Sequence, residues 1–294
     1  MLPNRETPLD LANPIGLDGI EYVEFATSRP QALGQLLEKI GFRPVARHRS
    51  REVLLYRQGA MNVIVNAHPG VLGSVREPKE TPRISAVALR VRDASSAYAY
   101  VLERGGWEIP MHAQVMELNI PGIHGPGGSH LYFVDRYREF SIYDVDFTRI
   151  PTVDPNPPPL HGLHWFGIVQ YIGTDRTADW IEFYGELFGF TVLPDEQRFG
   201  ILPKGKVLAS PCGQFHLQLI EPLPATVAGA EVEAFHRIGF GTPDVLAAVD
   251  HMRRNGIDFF ETALTHTETR GALTQTYLGS VLFELVHHAG GGPR

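Results

Sequence analysis

ISAVALRVRDASSAYAYVLERGG, residues 84–106, and FHRIGFGTPDVLAAVDHMRRNG, residues 235–256, state one pattern twice. Each is an apolar strand, then an aspartate, then an amphipathic helix pattern closed by glycine. The flanks repeat as well. GLDGIEYVEFAT (16–27) parallels LHGLHWFGIVQY (160–171), and each leads into a helix-like segment ending in Gly-Phe, PQALGQLLEKIGF (30–42) and ADWIEFYGELFGF (178–190). Alternating patterns close the halves, EFSIYDVDF (139–147) and GSVLFELVHH (279–288), and both read as strands. Between the copies stands PTVDPNPPP (151–159), with five prolines in nine residues, which can continue neither a helix nor a central strand. A repeat of about 140 residues is too long for a solenoid. Strand–helix–strand–strand–strand (βαβββ) units occurring twice per half predict a duplicated α+β sheet fold. The expected division is an N-terminal domain over 13–150, a linker over 151–160 and a C-terminal domain over 161–290.

With 294 residues, 43% of them apolar and 20% charged, the chain can bury a sizeable core. A net charge of −7, read together with no Lys/Arg cluster, gives no basic field for nucleic acid or anionic lipid. The first residues show no charged segment leading into an apolar run, and no apolar stretch approaches the roughly 20 residues of a spanning helix. A cytoplasmic protein is expected. The single cysteine, Cys212, excludes an internal disulfide and any multi-cysteine metal site.

Equivalent positions of the halves differ in chemistry. Setting Gly19-Ile20-Glu21 over Gly162-Leu163-His164 places Glu21 against His164, Ala86 against Arg237 (or Ser85 against His236), and Asp144 against Glu284. Only the second half offers imidazole at these positions. His164, His236 and Glu284 fall on three separate strands, and two imidazoles with one carboxylate suit Fe(II), as they also suit Zn(II), Mn(II) or Ni(II). Scattered ligands carry no compact motif, so a strand-end histidine, a helix-side polar residue and an edge-strand carboxylate describe them equally well. In GQFHLQLIE (213–221) alternation sets His216 and Gln218 on one face of a strand. His161, His287 and His288 are expected to be exposed.

Four segments, NPIGLDGIEYVEFA (13–26), FRPVARHRSREVLLYRQGAMNVIVN (42–66), MELNIPGIHGPGGSHLYFVDRY (116–137) and SIYDVDF (141–147), together resemble the first half of the 4-hydroxyphenylpyruvate dioxygenase family, within the vicinal oxygen chelate superfamily. The second half is similar more thinly, through His164 with Val169, EFYGELFGF (182–190), GFGTPDV (239–245) and SVLFELV (280–286). The resemblance implies two open barrels, each from two βαβββ modules, with the metal in the C-terminal one. It places the family's first ligand on His164 and its carboxylate on Glu284. The middle ligand departs from the family: the histidine three residues before the position of Phe240 is replaced here by Arg237, and His236 comes one residue early. A one-residue slip along a strand turns a side chain to the other face, and a β-bulge between 236 and 238 would return His236 to the cup. The expected metal set is accordingly His164, His236 and Glu284.

The resemblance also puts His216, Gln218 and Gln275 in the substrate cup, with Arg237 as a partner for a substrate carboxylate. It implies an Fe(II)-dependent dioxygenase that oxidatively decarboxylates an aromatic α-keto acid with O₂. A homo-oligomer is expected, and the first half is read as structural. Two departures leave the substrate open: the family's pocket Ser and Asn fall on Gly205 and Ile220, and the ten residues after Glu284 supply no counterpart of the family's gating helix. A metal-dependent lyase, isomerase or dehydratase on the same scaffold, of the type attached to 3-dehydroshikimate dehydratases, is an alternative reading. So is a metal-free small-molecule binding protein, which an inward-facing Arg237 would favour.

Overall fold

The computed structural model describes residues 12–68, 81–110, 118–138, 140–195, 205–221, 233–260 and 271–290. The first eleven residues, read above for a leader, lie outside the described residues.

The first half builds on β1 (Leu17–Ala26), α1 (Pro30–Lys39), β2 (Arg43–His48), β3 (Val53–Gln58) and β4 (Met61–Asn66). A second unit follows with β5 (Arg83–Val91), α2 (Ala94–Glu103), β6 (Gly122–His124) and β7 (His130–Val134), and then α3 (Ile142–Asp146) and β8 (Phe147–Arg149). The second half repeats the plan with β9 (His164–Tyr171), α4 (Thr177–Phe188), β10 (Thr191–Val192), β11 (Lys206–Ala209) and β12 (His216–Ile220). It ends with β13 (Ala234–Thr242), α5 (Val245–Arg254), β14 (Ala272–Leu273) and β15 (Phe283–His287).

Strand order shows the duplication directly. The first sheet runs β6-β7-β5-β1-β4-β3-β2-β8 and the second β10-β11-β12-β9-β13-β15-β14. In each, the first strand of one unit pairs antiparallel with the first strand of the next, and each of these strands has the last strand of its own unit parallel on its other side. These are two open sheets of the vicinal oxygen chelate fold. The aspartates of the repeated pattern act as helix caps: Asp93 accepts from the Ser96 amide at 2.6 Å and Asp244 from the Ala247 amide at 2.9 Å.

One expected strand is a helix. Within EFSIYDVDF, Ile142–Asp146 forms α3 because Ser141 and Asp144 make a reciprocal capping box, which gives the backbone a local alternative to a sheet ladder. Asp144 is therefore not the counterpart of Glu284. That place belongs to Tyr132, which pairs with Ala88 as Glu284 pairs with Gly239. The register likewise corrects the pairing of Glu21 with His164. Ile20 lies opposite Leu89 as Trp165 lies opposite Phe240, so Glu21 corresponds to Phe166.

The helix-bearing faces of the two sheets meet in one apolar core. Phe42 packs on Phe240 with ring centroids 6.0 Å apart, and Phe133 on Phe188 at 6.3 Å. The proline linker is tied to the β3–β4 hairpin, with the Gly59 amide donating to Pro157 O at 2.7 Å and Arg57 to Pro155 O at 2.9 Å. The concave face of the first sheet is filled by its own side chains, among them Tyr22, Leu55, Ile64 and Tyr132, with Ile142 and Tyr143 of α3 packed over them.

Candidate functional site

The concave face of the second sheet is floored by β13, where Gly239 and Gly241 leave room above the backbone. A Cβ on Gly241 would stand 2.4 Å from Nε2 of His164, so only glycine lets that imidazole lie across the strand. A small cavity of about 30 Å³, room for one water, is lined by Gly167, Val169, His216, Gln218, Gly239 and Glu284, among others. His216 and Gln218 do share one face of β12, and that face borders Glu284. The His216 ring packs on Phe166 with centroids 4.9 Å apart, and burial lowers its pKa. Gln275 stands beyond the end of β14, its side-chain amide donating to Phe259 O at 3.5 Å, and is not among the residues lining the cavity.

The strand register carries an irregularity one residue earlier than the expected bulge between 236 and 238. Phe235 pairs with Gln170 and Arg237 with Val169, so β13 spends two residues where β9 spends one, a bulge centred on His236. The bulge places His236 and Arg237 in different surroundings. His236 stacks flat on Tyr171, ring centroids 4.0 Å apart and planes within 10°, and its buried Nδ1 has no hydrogen-bond partner among the described residues. Burial, then the neighbouring Arg237 charge, pushes its pKa down to about 4. Arg237 reaches Glu284: its Nε donates to Glu284 Oε2 at 3.0 Å, and both side chains are buried, 1% and 4% exposed. Its Nη2 is also buried and without a partner among the described residues.

His164 is half-buried at the opposite end of this face. Its Nδ1 donates to Gly162 O at 2.9 Å, which leaves a neutral imidazole the Nε2 lone pair alone, and Nε2 stands 2.8 Å from Nδ1 of His288. His288 is thus not the exposed strand-end residue expected. It packs on His164 and on Phe166, with centroids 5.1 and 5.3 Å away. The amide of His288 donates to Thr242 O, which extends the β13–β15 pairing and brings His288 over the site. Nothing in the strand pattern signals this contact, because it depends on where the chain turns after β15. His161 and His287 are exposed.

These residues do not fit a three-ligand metal centre. By register His164 lies at the level of Gly241, Glu284 at Gly239, and Arg237 at Val169. The third side chain is a fixed cation with no lone pair to give, already bonded to the one carboxylate. Among the described residues no group of three or more His, Cys, Asp or Glu side chains converges as a metal site would require.

Comparison with known proteins bears on this arrangement. Residues 11–148 match the family described as hydroxyphenylpyruvate dioxygenase, N-terminal, and residues 162–277 match the glyoxalase/bleomycin resistance protein/dioxygenase superfamily. The chain is 34% identical over 263 residues to 4-hydroxyphenylpyruvate dioxygenase of Pseudomonas sp. strain P.J. 874, covering 84% of this chain and 72% of that protein. The chain belongs to the 4-hydroxyphenylpyruvate dioxygenase family. Its family kinship is with enzymes, and it is a dioxygenase-type member of the superfamily. It is also 32% identical to 3-dehydroshikimate dehydratase of Pseudomonas aeruginosa, over 87% of this chain but only 42% of that protein. A mutant of 4-hydroxymandelate synthase from Streptomyces coelicolor shares the fold, with a TM-score of 0.72 at 16% identity and 95% of both chains covered.

Two further findings qualify the sequence reading. Arg47, Arg49 and Arg51, with His48, line an open cleft of about 700 Å³ beside α1, so basic residues do gather at one place. Glu38 and Glu52 line the same cleft, and it lies in the first half, away from the concave face of the second sheet. Among the described residues no helix is long and apolar enough to cross a membrane.

Proposed function

We propose that the concave face of the second sheet takes up a small aromatic or α-keto carboxylate, and that the protein handles it without the three-ligand iron centre the resemblance implies. The observation that carries this reading is the buried Arg237–Glu284 pair, which puts a cation where the family pattern asks for a ligand. The ligand class comes from the 34%-identical relative, whose name specifies 4-hydroxyphenylpyruvate. His216, Gln218 and Glu284 supply polar groups at the cavity wall. Arg237 is not among the residues lining the cavity and stands behind Glu284, so its planar fork meets a ligand carboxylate only where the ligand displaces Glu284 from it. A cavity of one water's volume requires the His216 and Gln218 side chains to swing outward as the ligand seats.

A second reading keeps Fe(II)-dependent oxidative decarboxylation with O₂, on His164, His236 and Glu284. It is favoured by His164 and Glu284 both standing at this face, with Gly241 holding space for the former. Calorimetry with 4-hydroxyphenylpyruvate and phenylpyruvate in the presence of EDTA tests the first reading. Binding that survives chelation and weakens in Gln218→Ala and Arg237→Gln supports it, and no binding of either acid sinks it. Oxygen uptake with the same acids and added Fe(II) tests the second.

A further inference from the structure

We infer that Arg237 is a built-in replacement for the divalent cation, and that this one side chain keeps a latent metal site closed. The inference deepens the reading above, on which it rests only in taking Glu284, the partner of Arg237, as part of the ligand-binding face. Three observations converge. The guanidinium donates to Glu284 Oε2 at 3.0 Å with both groups essentially out of solvent, so the buried carboxylate has its counter-charge from the protein itself. A divalent ion on Glu284 would have to sit against that fixed positive charge.

The two remaining ligand types are nevertheless in place. Glu284 is held on β15 opposite Gly239, and His164 lies over Gly241, one alternation further along the same strand. Side chains at 237, 239 and 241 share a face of β13, so a histidine at position 237 would project toward Glu284 from the backbone position Arg237 now uses. The unpartnered, buried Nη2 shows that the guanidinium fills this space without satisfying all its donors. Arg237 acts here as the charge bonded to Glu284, and His236, stacked on Tyr171, takes no part in closing the site.

Titration of the chelator-stripped full chain with Co(II), followed by its visible ligand-field bands and by elemental analysis, decides the matter. Wild type is expected to hold no stoichiometric Co(II). Arg237→His is expected to bind one equivalent more than about 100-fold tighter, and to lose that gain when Glu284→Gln is added. Arg237→Gln, which removes the charge with a neutral amide, is expected to show a smaller gain and serves if Arg237→His does not fold. Stoichiometric binding by wild type that is lost in His164→Ala overturns the inference. So does a folded Arg237→His, or in its place a folded Arg237→Gln, that binds no better than wild type. No organic acid is present in this titration, so a failure to bind arylpyruvates leaves its outcome untouched and the two readings fail separately.

Discussion

Arg237 and Glu284 stabilise each other only as a pair. Breaking a buried ion pair by removing one partner costs about 3–5 kcal/mol, whereas replacing both with apolar groups of similar volume is often neutral. Arg237→Met should therefore lower the urea midpoint severely, and Arg237→Met with Glu284→Leu should recover most of the loss, as a double-mutant cycle by chemical denaturation would show. His236 gives a pH prediction. Its pKa is about 4 in the fold against 6.5 ordinarily, so between those values the unfolded chain holds a proton that the folded chain does not. Its contribution is fully present above about pH 6.5 and is lost as pH falls toward 4, by at most about 3 kcal/mol. His236→Phe keeps the stack on Tyr171 and should flatten the fall in stability between pH 7 and 4.5. An unchanged slope would show that the ring titrates freely.

At the scale of elements, glycine and bulges set the site more than strand propensity does. Gly241→Ala drives a Cβ to within 2.4 Å of His164 Nε2, so the imidazole must leave its place and its bond to His288. Nitrogen NMR of the imidazoles should show both His164 and His288 shifted, at a cost of about 1–3 kcal/mol. The paired caps are separable from function: Asp244→Ala should cost about 1 kcal/mol in thermal or urea unfolding without moving the β13 ligand-facing residues. The strand–Asp–helix pattern was readable because capping and period-3.6 burial are local. The α3 helix was not, since a short alternating run such as SIYDVDF satisfies both a strand and a capped turn until the capping box and the packing over the first sheet choose between them.

For the molecule as a whole, the two halves share one core although each has its own sheet. Phe240 stacks on Trp165 and Phe283 of its own half, with centroids 5.7 and 5.5 Å away, and meets Phe42 of the other. Phe240→Ala should cost about 3–5 kcal/mol and shift one common unfolding transition. Two separated transitions in scanning calorimetry would show that the halves melt independently.

The duplication, the proline divide, the helix caps and the likeness to the dioxygenase family follow from the sequence alone, because they rest on local periodicity and residue type. So does the presence of Arg where the family pattern asks for His, since a guanidinium cannot become a ligand in any fold. Only the tertiary structure decided that Arg237 rather than His236 meets Glu284. One bulge residue changes which side chain reaches across to the neighbouring strand, and its position is set by the pairing of β13 with β9, not by any property of the residues themselves. The same holds for His288 over His164: residues 124 positions apart become hydrogen-bond partners because β13 carries both β9 and β15 on its flanks.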